Sequence, residues 1–343
     1  MSIKTTRDAI REALASEMER DARVFLIGED IAGGMGAPGE QDAWGGVFGV
    51  TKGLLARFGR ERVVDTPISE TAFLGLGIGA ANAGLRPVVE IMFVDFFGVC
   101  FDQVLNNMAK FRYMYGGQGA TPITVRTTYG AGYGAAGQHS QTLYPIFAHI
   151  PGIKIALPSN AYDAKGLLAA AIRDDDPVLF FEHKAIYDQS AEVPDEAYAL
   201  PFGEAAVIAE GGDCCVVAFG NMVNVARQAL PLLEKEGIAV TLVDPRTIAP
   251  LDVDTIVEAI EECGRLVVVD EASPVCSMAS EIAALAATHC PTALKAPVVK
   301  VNPPAVPVPF SPALEAAYLP GAADIVAAVK RAMQGTPVRT RSA

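Results

Sequence analysis

The sequence lacks an uninterrupted apolar run that could cross a membrane. Its longest apolar stretch, 72–85, is short and contains four glycines, whereas a membrane-spanning helix needs about 20 consecutive apolar residues. Residues 1–19 are charged throughout and contain no apolar core segment, so no signal peptide is expected. These absences predict a cytoplasmic protein that has no membrane as its partner.

Positive charge is also scarce, and the cysteines form no CxxC pair. The chain has 27 Lys and Arg against 40 Asp and Glu, which gives a net charge of −13. This balance argues against nucleic acid as a partner. Because Cys214 and Cys215 lie in an apolar run, the six cysteines are interpreted as reduced core thiols rather than as disulfides or metal ligands.

What the sequence does contain is a repeated alternation of predicted strands and helices. Segments 1–190 and 205–343 each show this alternation, and segment 191–204, which includes Pro194 and Pro201, has the composition of a linker. A length of 343 residues suits two domains of ordinary size. The fold class predicted is therefore α/β, with two parallel-sheet domains.

The most informative stretch runs from Asp65 to Gly84. It reads as a strand end, a proline turn and a helix with Ser69 as its N-cap and Glu70 in its first turn. Glycine in a helix interior costs about 1 kcal/mol relative to alanine, so the spacing of Gly75 and Gly79 suggests a bare face that another backbone approaches. On residue type alone, Glu70 could simply complement the helix dipole.

A second glycine-rich stretch, Gly132 to Gly137, matches the dinucleotide pattern GxGxxG. A predicted strand precedes it, but no clean helix start follows, and no strand ending in an acid comes about 20 residues later. A nicotinamide-dependent oxidoreductase is therefore a weaker alternative from a different class. The polar turn that follows carries His139, which could equally be a structural histidine.

From about Val24 to about Lys330 the chain resembles the beta subunits of thiamine-diphosphate-dependent 2-oxo-acid dehydrogenases. The resemblance implies a transketolase-like pyrimidine-binding domain followed by a transketolase C-terminal-like domain. The stretches that carry it are Gly28-Glu29-Asp30, Asp65 to Glu70, Glu90 to Phe96, Asp102-Gln103-Val104, Gln138-His139-Ser140-Gln141, Pro151 to Lys154, Asp163 to Leu167 and Arg246 to Asp252.

The resemblance implies roles for particular residues. Glu70 would activate thiamine diphosphate, and Met92 and Phe96 would pack on its pyrimidine ring, which suits a soft apolar side chain and an aromatic face. Ile68 would complete a low-dielectric site around Glu70. Further residues implied are His139 in the substrate channel and Glu29 in an acidic chain that links two active sites, although an acid at a strand end is more often solvated.

In related beta subunits a potassium ion is held by backbone carbonyls. The matching positions here are Ile123, Ala171, Ile172, Asp174 and Asp176. Because carbonyl ligation places few demands on side chains, these positions are a weaker expectation than Glu70.

The sequence lacks the Gly-Asp-Gly motif through which thiamine enzymes bind the metal that holds the diphosphate. The resemblance therefore implies that an alpha subunit binds magnesium and the diphosphate, in an assembly of two alpha and two beta subunits. It also implies that the second domain docks onto a dihydrolipoyl acetyltransferase core. This chain alone is expected to be inactive.

The substrate is indicated by the loop Gly36 to Gly46, an insertion relative to pyruvate-type beta subunits that resembles the loop of acetoin-type beta subunits. The expected reaction is cleavage of acetoin to acetaldehyde and a two-carbon unit that ends as acetyl-coenzyme A. Pyruvate or another 2-oxo acid is the alternative substrate, and a non-catalytic scaffold subunit is the alternative class.

Overall fold

The computed structural model describes residues 1–32 and 45–335. Most of the loop on which the acetoin prediction depends, including Trp44, lies outside the described residues. Within the described ranges, no helix combines the length and the apolarity that a membrane span requires.

Helices and strands alternate along the chain, as the sequence predicts. The helices are α1 Thr6–Arg20, α2 Leu54–Phe58, α3 Glu70–Asn82, α4 Phe97–Asp102, α5 Phe111–Met114, α6 Tyr144–Ala148, α7 Ala161–Arg173, α8 Asn221–Glu234, α9 Val253–Cys263, α10 Met278–His289, α11 Pro312–Tyr318 and α12 Ala322–Gln334. The strands are β1 Ser2–Thr5, β2 Val24–Gly28, β3 Val63–Asp65, β4 Arg86–Phe93, β5 Thr124–Tyr129, β6 Lys154–Ala156, β7 Val178–His183, β8 Ser190–Val193, β9 Ala206–Ala209, β10 Cys214–Ala218, β11 Val240–Asp244, β12 Thr247–Ala249, β13 Leu266–Val269 and β14 Val299–Val301.

The chain divides into two compact units. The first comprises Met1–Tyr129 and Ile146–Phe202, and the second comprises Gly130–Pro145 and the chain from Gly203 onward. The break between Phe202 and Gly203 lies inside the predicted linker 191–204. No sequence pattern groups Gly130–Pro145 with the second unit, because this segment lies in the middle of the predicted first domain.

The first unit is built on a parallel sheet in which strands β6, β7, β5, β4, β2 and β3 are neighbours in that order. Strands β5 and β7 are buried along their whole length, as expected for a parallel sheet covered on both faces. Helix α1 packs against α7 through an apolar core that includes Ile10, Leu14 and Leu167. The Thr5 side chain caps α1 by accepting a hydrogen bond from the Asp8 backbone N.

Sequence patterns did not predict the small antiparallel sheet formed by β1 and β8. Both strands have four residues, and only Val193 is buried. Such short, polar strands give almost no period-two hydrophobic signal, so their pairing follows from where the rest of the unit places them.

The second unit contains a five-stranded sheet in the order β14, β13, β10, β11 and β9. The first four strands are parallel, but β9 pairs with β11 in the antiparallel direction. The predicted parallel α/β architecture is confirmed, with one antiparallel strand added at this edge, where β9 is short and only partly buried. Helices α8 and α12 cover one face with an apolar core.

The prediction that the six cysteines are reduced core thiols is confirmed for five of them, and its burial part is wrong for one. All six thiols are free, and Cys276 is exposed whereas the other five are buried. Burial raises the pKa of the Cys214 thiol to about 12, so this core thiol stays protonated and unreactive. Cys276 differs because it lies in an irregular segment after β13, with φ of +54°.

Candidate active site

Three neighbouring strands of the first unit end at one edge of the sheet, where the predicted residues Glu29, Glu70 and Met92 lie. Glu29 directly follows β2, Asp65 ends β3, and Met92 lies one residue before the end of β4. Because β3, β2 and β4 are adjacent and parallel, their carboxyl ends share this edge. Ligand sites in parallel α/β sheets form outside the carboxyl ends of the strands.

Helix α3 begins at this edge with Glu70, which is half-buried. Ser69 occupies the predicted N-cap position, but its side chain makes no capping bond; its Oγ donates to the Pro67 carbonyl oxygen at 3.0 Å. The Thr71 Oγ1 donates to the Val99 carbonyl oxygen at 2.7 Å, which fixes the helix start against α4. The carboxylate of Glu70 therefore sits at the positive end of a helix whose first turn is held by neighbouring backbone.

The bare-face interpretation of Gly75 and Gly79 stays a prediction, since no backbone of the described residues approaches either glycine. A Cβ on Gly75 would meet only the Gln103 side chain, and one on Gly79 would have no atom of this part of the chain within 4 Å. The glycine that packing requires is Gly77, where a Cβ would lie 2.6 Å from Val89 Cγ2 of β4. Close packing of α3 on the sheet explains this glycine.

Glu29 lies near enough to Glu70 for the two charges to interact, and it is only 7% exposed. Burial, and after it the negative charge of Glu70, raises the pKa of Glu29 to about 7, although a hydrogen bond from the Ser69 backbone opposes the shift. The Glu29 Oε1 atom is buried and has no hydrogen-bond partner within the described residues. The alternative of a merely solvated strand-end acid is therefore wrong, because burial and a like charge both act on this carboxyl group.

The apolar side of the site comes from the turn that follows β4. Met92 and Phe96 are both half-buried. The Thr128 Oγ1 donates to the Met92 carbonyl oxygen at 2.6 Å, and the Phe96 ring lies edge-on to Phe93 with a centroid distance of 5.5 Å. These contacts hold the two predicted ring-contacting residues in place.

The same turn lies beside Glu70. Burial, together with the negative charge of Glu70, raises the pKa of the Cys100 thiol to about 12, and the Cys100 Sγ donates to the Phe96 carbonyl oxygen at 3.8 Å. Ile68, in contrast, is 84% exposed. Ile68 lies in the proline turn before α3, and its shielding of Glu70 stays a prediction.

A buried charge network that sequence reasoning missed links the strands below this edge. Arg126 on β5 donates Nε and Nη2 to the two carboxylate oxygens of Glu182 at 2.7 and 2.8 Å, and Nη1 to Glu90 Oε2 at 2.7 Å. Tyr187 donates its hydroxyl to Glu182 Oε2 at 2.6 Å. Burial alone would lower the pKa of Arg126, but Glu182 and Glu90 raise it overall. This network joins β4, β5 and β7 in a fixed register.

His139 lies in segment Gly130–Pro145, which belongs to the second unit. It is half-buried, and its backbone N donates to the Ala136 carbonyl oxygen at 3.4 Å. Glu70 and His139 are thus carried by different compact units.

The glycine pattern 132–137 is also in the second unit, and its backbone amides already have an anionic partner. The Glu315 carboxylate accepts hydrogen bonds from the Gly132 N at 2.8 Å and the Gly134 N at 2.9 Å. These are the donors that a dinucleotide pyrophosphate would use. This contact argues against the nicotinamide alternative, since the bound phosphate would have to displace a buried carboxylate.

Of the five carbonyl oxygens expected to hold potassium, those of Ile123, Ile172 and Asp174 accept hydrogen bonds within the first unit. Arg86 Nη1 donates to the oxygens of Ile172 and Asp174 at 3.1 and 2.8 Å. The Ile123 oxygen accepts from the Val178 N at 2.9 Å. Each carbonyl retains a second lone pair, so these hydrogen bonds are compatible with an added cation. In residues 1–32 and 45–335, no cluster of three His, Cys, Asp or Glu side chains could hold a metal ion.

Comparison with known proteins agrees with this architecture. Residues 3–189 match the transketolase pyrimidine-binding domain, and residues 203–325 match the transketolase C-terminal domain. A solved split-gene transketolase, described as an inactive beta4 tetramer, superposes with a TM-score of 0.76 over 97% of this chain and 99% of that chain. At 24% sequence identity, this likeness shows the fold alone.

Three curated relatives are more similar in sequence. The beta subunit of acetoin:2,6-dichlorophenolindophenol oxidoreductase from Cupriavidus necator is 56% identical over 95% of this chain and 96% of that subunit. Its counterpart from Bacillus subtilis is 52% identical over 96% of this chain and 97% of that subunit. The 2-oxoisovalerate dehydrogenase subunit beta of Bacillus subtilis is 44% identical over 96% of this chain and 98% of that subunit. With both transketolase domains in order and such relatives along nearly its whole length, the chain belongs to the transketolase-like family of dehydrogenase beta subunits.

Proposed function

We propose that this chain is the beta subunit of a thiamine-diphosphate-dependent acetoin dehydrogenase in the cytoplasm. The observation that carries the proposal is the placement of Glu70 beside Glu29 at the carboxyl edge of the pyrimidine-binding sheet. The choice of acetoin is supported by the two oxidoreductase relatives, which share more than half of their residues with this chain. A pyruvate dehydrogenase beta subunit from Rhizobium meliloti is 43% identical, so pyruvate or another 2-oxo acid is the second candidate substrate.

Thiamine diphosphate supplies a thiazolium carbon that attacks a carbonyl group once its proton has been removed. Glu70 would hold the pyrimidine ring of this cofactor through a hydrogen bond at a ring nitrogen. Met92 and Phe96 would contact the ring faces, since both are half-buried and held at the same edge. The exposed Ile68 would be covered only when cofactor or partner is bound.

Glu29 would hold a proton beside Glu70. With a pKa of about 7, Glu29 takes up a proton near neutral pH, which removes one of two neighbouring negative charges. His139 would hold or protonate the part of the substrate that remains bound. These roles rest on the match of Glu29, Glu70 and His139 to positions of the family.

The remaining parts of the site would come from an alpha subunit, because the chain has no Gly-Asp-Gly motif. The alpha subunit would bind magnesium and the diphosphate in an assembly of two alpha and two beta subunits. The second domain would dock onto a dihydrolipoyl acetyltransferase core, which would carry the two-carbon unit toward acetyl-coenzyme A. Potassium at the carbonyls of Ile123, Ala171, Ile172, Asp174 and Asp176 is part of this proposal.

Replacement of one carboxylate tests the proposal. The Glu70→Gln variant keeps the size of the side chain, so assembly with the alpha subunit should be unchanged. Turnover of acetoin with an artificial electron acceptor should fall by at least about a hundredfold, because the amide cannot replace the carboxylate in proton transfer.

The matched control is Glu61→Gln, which removes an exposed acid and should leave turnover unchanged. A loss of only a few fold in Glu70→Gln, with assembly intact, would refute the role of Glu70 and favour the scaffold alternative.

A further inference from the structure

A buried carboxylate of the second unit holds the turn that precedes His139. Glu315 is only 4% exposed. Its Oε1 accepts from the Gly132 N at 2.8 Å, and its Oε2 accepts from the Gly134 N at 2.9 Å. Hydrogen bonds to an ionised acceptor are roughly twice as strong as neutral ones, so this one side chain fixes two backbone amides of the turn.

A second carboxylate holds the same segment one residue earlier. The Glu271 Oε1 accepts from the Ala131 N at 2.7 Å and from the Thr142 Oγ1 at 3.4 Å. Residues 131 and 142 flank the turn, so Glu271 closes its base. The two carboxylates therefore bind three backbone amides of one short loop, those of Ala131, Gly132 and Gly134.

The chain around α11 also limits the space available to the turn. A Cβ on Gly132 would lie 3.4 Å from Leu319 Cδ1, and one on Gly137 would lie 3.3 Å from the Val308 carbonyl oxygen. Gly132 has φ of +96° and Gly134 has φ of +67°, conformations in which glycine is preferred. The turn thus follows the surface of segment 308–319 closely.

His139 follows this turn after five residues, and its backbone N is bonded to the Ala136 carbonyl oxygen within the same loop. We propose that Glu315 is a positioning residue: by fixing Gly132 and Gly134 it sets the backbone from which His139 reaches the substrate. This inference deepens the proposed function and rests on the role assigned there to His139.

The first test is a double-mutant cycle in the assembled enzyme with acetoin as substrate. In Glu315→Gln one acceptor oxygen and the negative charge are lost, so kcat should fall on the order of tenfold, while KM changes by less than about twofold. In the His139→Ala background the same change should cause little further loss, because Glu315 acts through His139.

Two further variants serve as a partial rescue and as a control for the double-mutant cycle. Glu315→Asp keeps the charge but is one methylene shorter, so it should restore part of the lost kcat through one of the two amides. Glu258→Gln, an exposed acid on α9 of the same unit, is the matched control and should leave kcat unchanged.

The second test does not depend on activity. Hydrogen exchange followed by mass spectrometry should show slow exchange of the Gly132 and Gly134 amides in the wild-type assembly. In Glu315→Gln, exchange of a peptide covering 130–141 should be faster, whereas peptides of β10 and β13 should be unchanged. The wild-type measurement stands even where the variant does not fold.

The outcomes separate the two proposals. A non-additive cycle with faster exchange of 130–141 supports the inference. Additive losses in Glu315→Gln and His139→Ala, or fast exchange of these amides in the wild type, would overturn it and leave the role of His139 intact. Full activity of His139→Ala would overturn the proposed role of His139 and, with it, the positioning role of Glu315.

Discussion

Glu29 and Glu70 are neighbouring carboxyl groups, and burial gives Glu29 a pKa unlike that of an ordinary surface acid. Glu29 is buried, and its pKa is raised to about 7 first by desolvation and then by the charge of Glu70. Sequence inspection singled out both residues, but only the fold shows that they are close. The reason is that they follow different strands, β2 and β3, whose ends meet only in the sheet.

The raised pKa of Glu29 predicts a pH-dependent change in stability. The pKa of Glu29 is 4.5 in the unfolded chain and about 7 in the folded protein. The stabilisation that comes from protonated Glu29 is therefore fully present below about pH 4.5 and is lost as the pH rises through 7. Glu29→Gln cannot ionise. Its free energy of unfolding should therefore be close to that of the wild type at about pH 5 and higher by on the order of 2 kcal/mol at about pH 8.

Urea unfolding of the two proteins at both pH values measures this difference. Glu61→Gln is the control, since this exposed acid should show no such pH dependence. An advantage of Glu29→Gln that is equal at pH 5 and pH 8 would mean that the pKa of Glu29 is not raised in the folded protein.

Glu315 shows what sequence reasoning could not find at the residue scale. It lies 183 residues from Gly132 in the chain, inside a segment with no hydrophobic periodicity that indicates its partner. Arg126, in contrast, could have been recognised from the sequence. It is a charged residue inside a buried strand, and such a residue requires charged partners.

At the scale of the element, α3 was predicted closely because its signals are local. The proline turn, the acid in the first turn and Gly84, with φ of +99°, mark its bounds. The reason for its glycines was not local, because it depends on Val89 of β4. The sequence identified the helix but did not show that Gly77 is the glycine that packs on β4.

Two alanine substitutions in α3 separate packing from helix propensity. Gly77→Ala should destabilise the protein by about 1–3 kcal/mol, because the added Cβ would lie 2.6 Å from Val89 Cγ2. Gly79→Ala should stabilise this chain by up to about 1 kcal/mol, since its position is exposed and a Cβ there meets no described atom within 4 Å.

Thermal unfolding of both variants, measured on the chain without its partner, tests this pair directly. Equal effects of the two substitutions would contradict the packing of α3 on β4. A Gly79→Ala variant that is more stable alone but assembles less well with the alpha subunit would locate a close backbone approach at the subunit contact.

At the scale of the whole molecule, the sequence predicted two α/β units because both repeat a strong strand and helix pattern. It did not predict β9, β1 or β8, which are short and partly exposed. Nor did it place Gly130–Pro145 with the second unit, where the segment is hydrogen-bonded to the distant residues Glu271 and Glu315. Long-range hydrogen bonds, rather than local pattern, decide these features.

The whole-molecule account is that this chain supplies half of an active site, with Glu70 at the pyrimidine-binding sheet edge and without the Gly-Asp-Gly motif. The most direct measurement is steady-state turnover of the chain co-expressed with its alpha subunit, with thiamine diphosphate, magnesium and an artificial electron acceptor, on acetoin and on pyruvate. The account predicts no turnover by this chain alone and, in the assembly, a kcat/KM for acetoin at least about tenfold above that for pyruvate. A preference for pyruvate would contradict the substrate assignment, and no turnover of either substrate would contradict the proposed activity.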